Sequence, residues 1–204
     1  MRRKKEDAEQ KKHLIIEKAV ELFLKKGFSQ TTLDEIATAA AVTRGAIYFH
    51  FKDKKEIVRK LIADKEVEVL ALLGDAFAEE IRALPKLKKI IDIILNNFFT
   101  KKDFRDFIEL TWFKIEYTQI EQLTQSKKDM NEYFTEMLTP LLQEIKKEND
   151  LQTDADPPAI AFHISSLIHF IYRIYFIQGS AAMNASKARA MLFNYLELIE
   201  RKDR

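Results

Sequence analysis

Cysteine is absent from the 204 residues, which excludes disulfide bridges and thiolate chemistry. Glycine and proline are scarce, with four of each. Because hairpins and tight turns need these residues often, their scarcity favours a few long helices over many short strands. Hydrophobic residues make up 47% of the chain, which is enough to build a substantial core. The composition therefore predicts an all-α fold.

A long uncharged apolar run is also lacking. The most apolar stretch, residues 157–172, is followed by Arg173. It is shorter than the roughly 18 to 20 uncharged residues that cross a bilayer. The charged N-terminus, MRRKKEDAEQKK, is not followed by the apolar segment of a secretory signal. We therefore expect a cytoplasmic protein with no membrane partner, in which residues 157–172 lie in a buried helix.

Charge is distributed unevenly along the chain. Residues 1–60 contain 15 Lys and Arg against 9 Asp and Glu, a net charge of +6, whereas the remainder carries −4. A basic N-terminal part indicates contact with a polyanion, although an ordinary solvated surface can give the same imbalance. The segment Arg2–Lys5 is either a disordered arm that touches nucleic acid or a solubilising tail.

Helix-start signals cluster between residues 30 and 55. A first helix over about 7–26 ends at Gly27. Thr32 and Glu35 form a capping box for a second helix, and Thr43 can cap a third. Asp53 begins a fourth that runs toward Gly74. Two short helices joined by a tight turn predict a helix-turn-helix. Further helices are predicted over about 85–100, 104–123, 126–148 (bent at Pro140), 157–178 and 186–202, giving about nine in all.

The third of these helices has two different faces. Ile47 and Phe51 lie on one face and are expected to pack on the first two helices. Arg44, Gly45 and Tyr48 lie on the other face. Arg can bind guanine or phosphate with its forked guanidinium, Gly allows close approach of the backbone, and Tyr can reach a phosphate. Thr43 adds a hydroxyl beside free backbone amides. A plain amphipathic hairpin is the alternative.

The segment TTLDEIATAAAVTRGAIYFHFKDKKEI, residues 31–57, resembles the DNA-binding signature of the TetR family of bacterial regulators. The resemblance implies a helix-turn-helix domain over residues 1–53 and an effector-binding and dimerisation domain over 54–204. It places DNA contacts at Thr32, Thr43, Arg44, Gly45, Tyr48, Phe49, His50 and Lys54. Ala41 stands where many family members have Gly in the turn. No second His, Cys or carboxylate lies at metal-ligand spacing around His50, so we expect no metal site. No cofactor is implied.

Two sets of side chains are candidates for effector binding. Glu109, Trp112, Phe113 and Glu116 share one face of the helix predicted over 104–123, where carboxylates beside rings could hold a lipophilic cation. His163, Ser166, His169 and Tyr172 could line the same cavity from the next apolar helix. Both sets could equally be core residues with carboxylates at a solvated edge.

The last two helices are expected to form a homodimer, because the helix over 157–178 is apolar on nearly all sides and needs cover. The resulting hypothesis is a repressor that binds a near-palindromic double-stranded operator and is released by a small lipophilic effector. The segment KIEYTQ, residues 114–119, resembles AcrR-like repressors of multidrug efflux pumps. The alternatives are a sequence-independent architectural DNA-binding protein, and an α-helical enzyme using carboxylates or histidines, for which the sequence has no supporting motif.

Overall fold

The computed structural model describes residues 2–115, 130–152, 154 and 156–200. In these ranges the fold is helical, as predicted: α1 (Arg2–Lys26), α2 (Leu33–Ala39), α3 (Arg44–His50), α4 (Lys54–Ala78), α5 (Ala83–Thr100), α6 (Lys102–Glu109), a π-helical turn (Leu110–Lys114), α7 (Met130–Lys147), α8 (Pro157–Gln178) and α9 (Ala185–Ile199). α1 begins at Arg2, so the backbone of the segment Arg2–Lys5 is helical rather than disordered. Its contact with DNA and its role as a solubilising tail both stay predictions.

The described residues fall into two compact units. The first comprises those of Met1–Val69 and Asp103–Lys127, and the second those of Leu70–Lys102 and Lys128–Arg204. The division lies within α4, and the segment after Lys102 belongs to the first unit. The boundary predicted at residue 53 separates the DNA-binding part from the rest of the chain. A division into compact units does not test this functional boundary, so it stays a prediction.

In the first unit, local capping fixes where the helices begin. Thr32 accepts a hydrogen bond from the amide of Glu35, whose carboxylate accepts one from the Thr32 amide. Thr43 accepts one from Ala46, and Asp53 from Glu56. The predicted starts of the second, third and fourth helices are therefore confirmed. Each cap satisfies an amide that the helix itself leaves without a partner.

The core of the first unit forms under α3. α1 packs on α2 and on the π-helical turn, and α2 packs on α3. Ile47 and Phe51 are fully or almost fully buried, as are Ile36 on α2 and Phe23 on α1. The predicted division of α3 into a buried and an outward face is confirmed. Burying these side chains anchors a helix that is only seven residues long.

In the second unit, α8 packs along α7, while α9 packs on both α5 and α8. Pro157 lies at the first turn of α8, and Gly179, at φ +82°, ends that helix. Pro140 lies inside α7, which continues through it. Ion pairs join distant segments, including Lys88 with Glu200 and Arg189 with Asp92.

α8 is long and apolar enough to cross a membrane by length and composition, because the helix extends past Arg173 to Gln178. The sequence-based view that this segment is too short was therefore wrong. One side of α8 packs in the core, with Ile160, Ile164, Ile168 and Ile171 buried, while other positions along the helix are exposed.

Candidate nucleic-acid interface

The outward face of α3 carries large side chains with little cover from the protein. Arg44 has 71% of its side chain exposed, and Phe49 is 81% exposed. Tyr48 is also exposed. A Cβ atom built on Gly45 would meet no atom within 4 Å. Packing within the chain therefore does not require glycine at this position, whereas close approach of an external partner would.

Arg44 is held by two neighbours on this face. Its Nε lies 3.1 Å from Oδ1 of Asp34 on α2. Its guanidinium carbon lies 5.8 Å from the centre of the Tyr48 ring. A hydrogen bond with Tyr48, and then the charge of Asp34, raise the pKa of Arg44 above its usual value. The guanidinium is thus oriented in the free protein, with its planar fork on an exposed surface. Asp34 was not among the predicted site residues.

Thr32 and Thr43 form hydrogen bonds within the free protein. The Thr43 hydroxyl accepts from Ala46 at 3.1 Å, and that of Thr32 donates to Glu35 at 2.8 Å. Glu35 also forms an ion pair with Lys26. These contacts, first with Lys26 and then with Thr32, lower the pKa of Glu35 to about 2. Both threonines are exposed, which leaves them accessible to DNA. A contact with DNA stays a prediction for each.

Lys54 occupies a different environment from the one predicted for a phosphate contact. Its ammonium donates to the carbonyl oxygens of Phe28, Ser29 and Thr31, at 2.7, 2.9 and 3.0 Å. It also lies 4.7 Å from the centre of the Phe28 ring. Desolvation, and then the charge of Lys26, lower the pKa of Lys54. The three N–H donors of the ammonium are therefore engaged within the protein.

A groove of about 440 Å³ runs beside α3. Its lining comes from both α1 and α3: Asp7, Ala8, Lys11, Ala46, Phe49 and His50. The rings of Phe49 and His50 meet edge to face, with their centres 5.1 Å apart. Sequence reasoning did not single out the α1 residues. Their signal was available, because one helical turn separates Asp7 from Lys11, but nothing in the sequence placed that turn beside α3.

The first set of predicted effector residues does not lie on a continuous α-helix. The chain changes from α to π geometry at Leu110, with Ile115 donating its amide to Leu110 at 3.0 Å. Ile115 is already extended, so the continuous α-helix predicted over 104–123 is wrong at residues 110–115, and residues 116–123 lie outside the described residues. Trp112 and Phe113 are half-buried, and Glu109 pairs with Lys114 at 3.4 Å. Glu116 lies outside the described residues.

The second set spreads around α8. Tyr172 is fully buried and stacks on Phe98 with ring centres 4.0 Å apart. His163 is exposed, and its Nδ1 lies 3.1 Å from the hydroxyl of Tyr195 on α9. Nine residues separate Tyr172 from His163, which places them on opposite sides of a helix with 3.6 residues per turn. Ser166 and His169 lie between these extremes and are half-buried. A single effector-lining face is therefore not formed by all four residues.

The capped helices, the tight turn and the exposed face of α3 define a helix-turn-helix DNA-binding protein. Residues 15–61 match the family model described as bacterial regulatory proteins, tetR family. Residues 15–61 are therefore a DNA-binding domain of the TetR family of transcriptional regulators.

Curated relatives match part of the chain. The regulator TtgR of Pseudomonas putida is 35% identical over 132 residues, which is 62% of this chain and 62% of TtgR. AcrR of Shigella flexneri is 35% identical over 124 residues, 57% of this chain and 54% of AcrR. The matched region thus spans less than two thirds of these relatives.

Among solved structures, NalD of Pseudomonas aeruginosa, the secondary repressor of the MexAB-OprM multidrug efflux pump, superposes with a TM-score of 0.80. It is 22% identical and covers 97% of this chain and all of NalD. SmeT, the repressor of the Stenotrophomonas maltophilia multidrug efflux pump SmeDEF, gives 0.77 at 16% identity, with 94% of this chain and 91% of SmeT covered. At these identities the similarity establishes a shared fold.

Proposed function

We propose that this protein is a ligand-responsive transcriptional repressor that acts as a homodimer on a near-palindromic operator. The carrying observation is the outward face of α3, where Arg44 and Tyr48 stand exposed around Gly45 while Ile47 anchors the helix. In a dimer the two α3 helices enter successive major grooves about one helical turn apart. As a DNA-binding regulator, it works in the cytoplasm.

Contacts with DNA divide into reading and positioning. Arg44 offers two N–H groups in a plane, which fits O6 and N7 of guanine. In this proposal Tyr48, Thr43 and His50 contact phosphates, which fix the register but carry no sequence information. Gly45 allows the α3 backbone to approach the groove wall. Lys54 is left out of this scheme, because its ammonium is engaged by carbonyl groups.

Selection from a pool of random duplexes tests this function against its main alternative. A repressor of this design enriches one short palindrome, and footprinting then protects that palindrome alone. A sequence-independent architectural protein enriches no motif and coats the DNA uniformly. The second result would reject the proposed operator binding.

The proposed dimer interface is the outward surface of α8 and α9. Phe162, Phe170 and Ile177 recur on α8 at spacings of eight and seven residues, which keeps them on one side. Ile177 is 65% exposed, and Leu198 on α9 is 78% exposed. Exposed apolar side chains on two adjacent helices suit burial against a second copy in a symmetric four-helix arrangement.

A charge placed on this surface tests the interface. We expect Phe170→Glu combined with Leu198→Glu to give a folded monomer in sedimentation or light scattering. Val67→Glu is the control, because Val67 is also an exposed apolar residue but lies on α4. A double variant that stays dimeric, or a control that also dissociates, would move the interface elsewhere.

The proposed effector is a small lipophilic compound, and the proposed target is a multidrug efflux pump. Support comes from the relatives: NalD and SmeT are named as repressors of such pumps, and SmeT has been solved in complex with triclosan. Release requires that the effector bind the DNA-free arrangement more tightly than the DNA-bound one. A thermal-shift panel of triclosan, dyes, bile salts and polar metabolites tests this. Stabilisation by a single polar metabolite alone would contradict efflux control.

A further inference from the structure

We propose that Lys54 is a positioning residue that locks the first turn of α4 to the α1–α2 turn, and that its side chain does not contact DNA. The inference rests on the proposed operator binding. It differs from the role that the family resemblance implies for this residue, a phosphate contact.

The geometry around the ammonium is that of a filled binding site. Three carbonyl oxygens within 3.0 Å of Nζ match the three N–H donors of a lysine ammonium. The Phe28 ring provides a further attractive face. To reach a phosphate, Lys54 would have to give up these bonds and leave the carbonyl groups without this donor. Loss of charge-assisted hydrogen bonds makes that exchange unfavourable.

The position of this contact gives it a function. Phe28, Ser29 and Thr31 form the turn between α1 and α2, and that turn is itself braced by a bond from the Thr31 hydroxyl to the carbonyl of Gly27 at 2.8 Å. Lys54 is the first residue of α4. The ammonium therefore links the start of α4 by hydrogen bonds to the turn that precedes α2, the first helix of the helix-turn-helix. Residues at the far end of α4 belong to the second unit, so α4 has residues in both.

Because the first turn of α4 is held to the α1–α2 turn, a displacement of α4 also displaces α3. The same contact also keeps α3 in one orientation in the free protein, which favours binding to two half-sites with fixed spacing. A loosened junction lowers the fraction of molecules in the competent arrangement and thus operator affinity. Random DNA has no fixed spacing to satisfy, so its affinity depends little on this junction.

Three variants separate locking from phosphate contact. Lys54→Arg keeps the positive charge, but a planar guanidinium does not fit among three carbonyl oxygens arranged around a compact ammonium. Lys54→Met removes the charge and keeps much of the stem. Lys52→Met is the matched control, since Lys52 is an exposed lysine two residues away whose loss removes the same charge.

Affinities for the selected operator and for random DNA are measured over a range of salt concentrations, and thermal midpoints are measured without DNA. If Lys54 is a lock, both Lys54 variants lower the midpoint by roughly 4–8 °C. They also lower the operator-to-random affinity ratio by roughly 5- to 10-fold. The salt slopes of Lys54→Arg and wild type then coincide, and that of Lys54→Met equals that of the charge control.

Two results overturn the lock. One is a Lys54→Arg variant that behaves as wild type in both assays. The other is a Lys54→Met variant that loses affinity equally on all DNA, with a salt slope shallower than that of the control by about 0.9, the signature of one lost phosphate contact. If wild type shows no operator preference, the proposed function fails. The midpoints measured without DNA then decide the lock by themselves.

Discussion

The turn before α3 contains a residue in a conformation that does not suit it. Ala41 has φ +51°, in the left-handed region. Its amide donates to Thr38 at 3.1 Å, and that of Val42 donates to Ala37 at 3.0 Å. These two bonds form a Schellman motif, whose left-handed position is usually glycine. The TetR resemblance marks Ala41 as a departure from Gly, and the structure gives the dihedral angle that explains the preference.

Replacing Ala41 with Gly should therefore stabilise the protein. The left-handed conformation costs an L-residue roughly 1–2 kcal/mol. Glycine removes that cost but adds roughly 0.4–1 kcal/mol through the entropy of the unfolded chain. The net stabilisation is about 0.5–1 kcal/mol, which for a chain of this size raises the melting temperature by roughly 1–4 °C. Ala41 is exposed, so the substitution loses little packing.

Ala39→Gly is the matched control, because Ala39 is also exposed but lies at the end of α2 in helical conformation. It should lower stability by roughly 0.5–1 kcal/mol, since glycine gains nothing there. The chain has one tryptophan, Trp112, in the same unit as the turn, so its fluorescence reports the melting of that unit. If both variants shift the midpoint in the same direction, backbone strain at Ala41 is not the cause.

Two further predictions concern the caps and the second unit. The lowered pKa of Glu35 means that the stability from its contacts is fully present above pH 4.5 and is lost as the pH falls toward about 2. Melts over a pH series should therefore show Glu35→Gln to be less stable than wild type near neutral pH, with a difference that shrinks in acid; a constant difference would argue against the Lys26 and Thr32 contacts. Tyr172→Ala should destabilise the second unit by roughly 3–5 kcal/mol, because it removes a buried ring stacked on Phe98. Tyr172→Phe should stay within about 1 kcal/mol of wild type by far-UV circular dichroism, and equal losses in the two variants would contradict a packing role.

Helix starts were predictable where the signal was local. Thr32 and Glu35 lie three residues apart, and the hydrogen bonds they exchange need no distant partner. The same is true of Thr43 and Asp53. Burial of Ile47 and exposure of Arg44 also followed from helical periodicity alone. For these features the local and the tertiary preferences agree.

Other features depend on contacts that the sequence does not display. The spacing of Trp112 and Phe113 from Glu109, three and four residues, suits an α-helix, but the chain takes π geometry from Leu110. That change inserts a residue into the turn without altering the apolar pattern. From the sequence, Lys54 is predicted to be a surface cation. Its hydrogen bonds to carbonyl groups 23 to 26 residues earlier in the chain become known only from the structure. Tyr172 and His163 were predicted to line one cavity, although their helix turns them in opposite directions.

In the proposed complex with the operator, α3 reads base sequence through Arg44. The most direct measurement compares the affinity of wild type, Arg44→Lys and Arg44→Ala for the selected operator and for operators with each guanine replaced. We predict that Arg44→Ala loses roughly 10- to 100-fold on the operator and no longer distinguishes one of the replaced guanines. Arg44→Lys should keep the charge yet lose most of that discrimination. An equal loss on every sequence, or wild-type discrimination in Arg44→Ala, would contradict base reading by this residue.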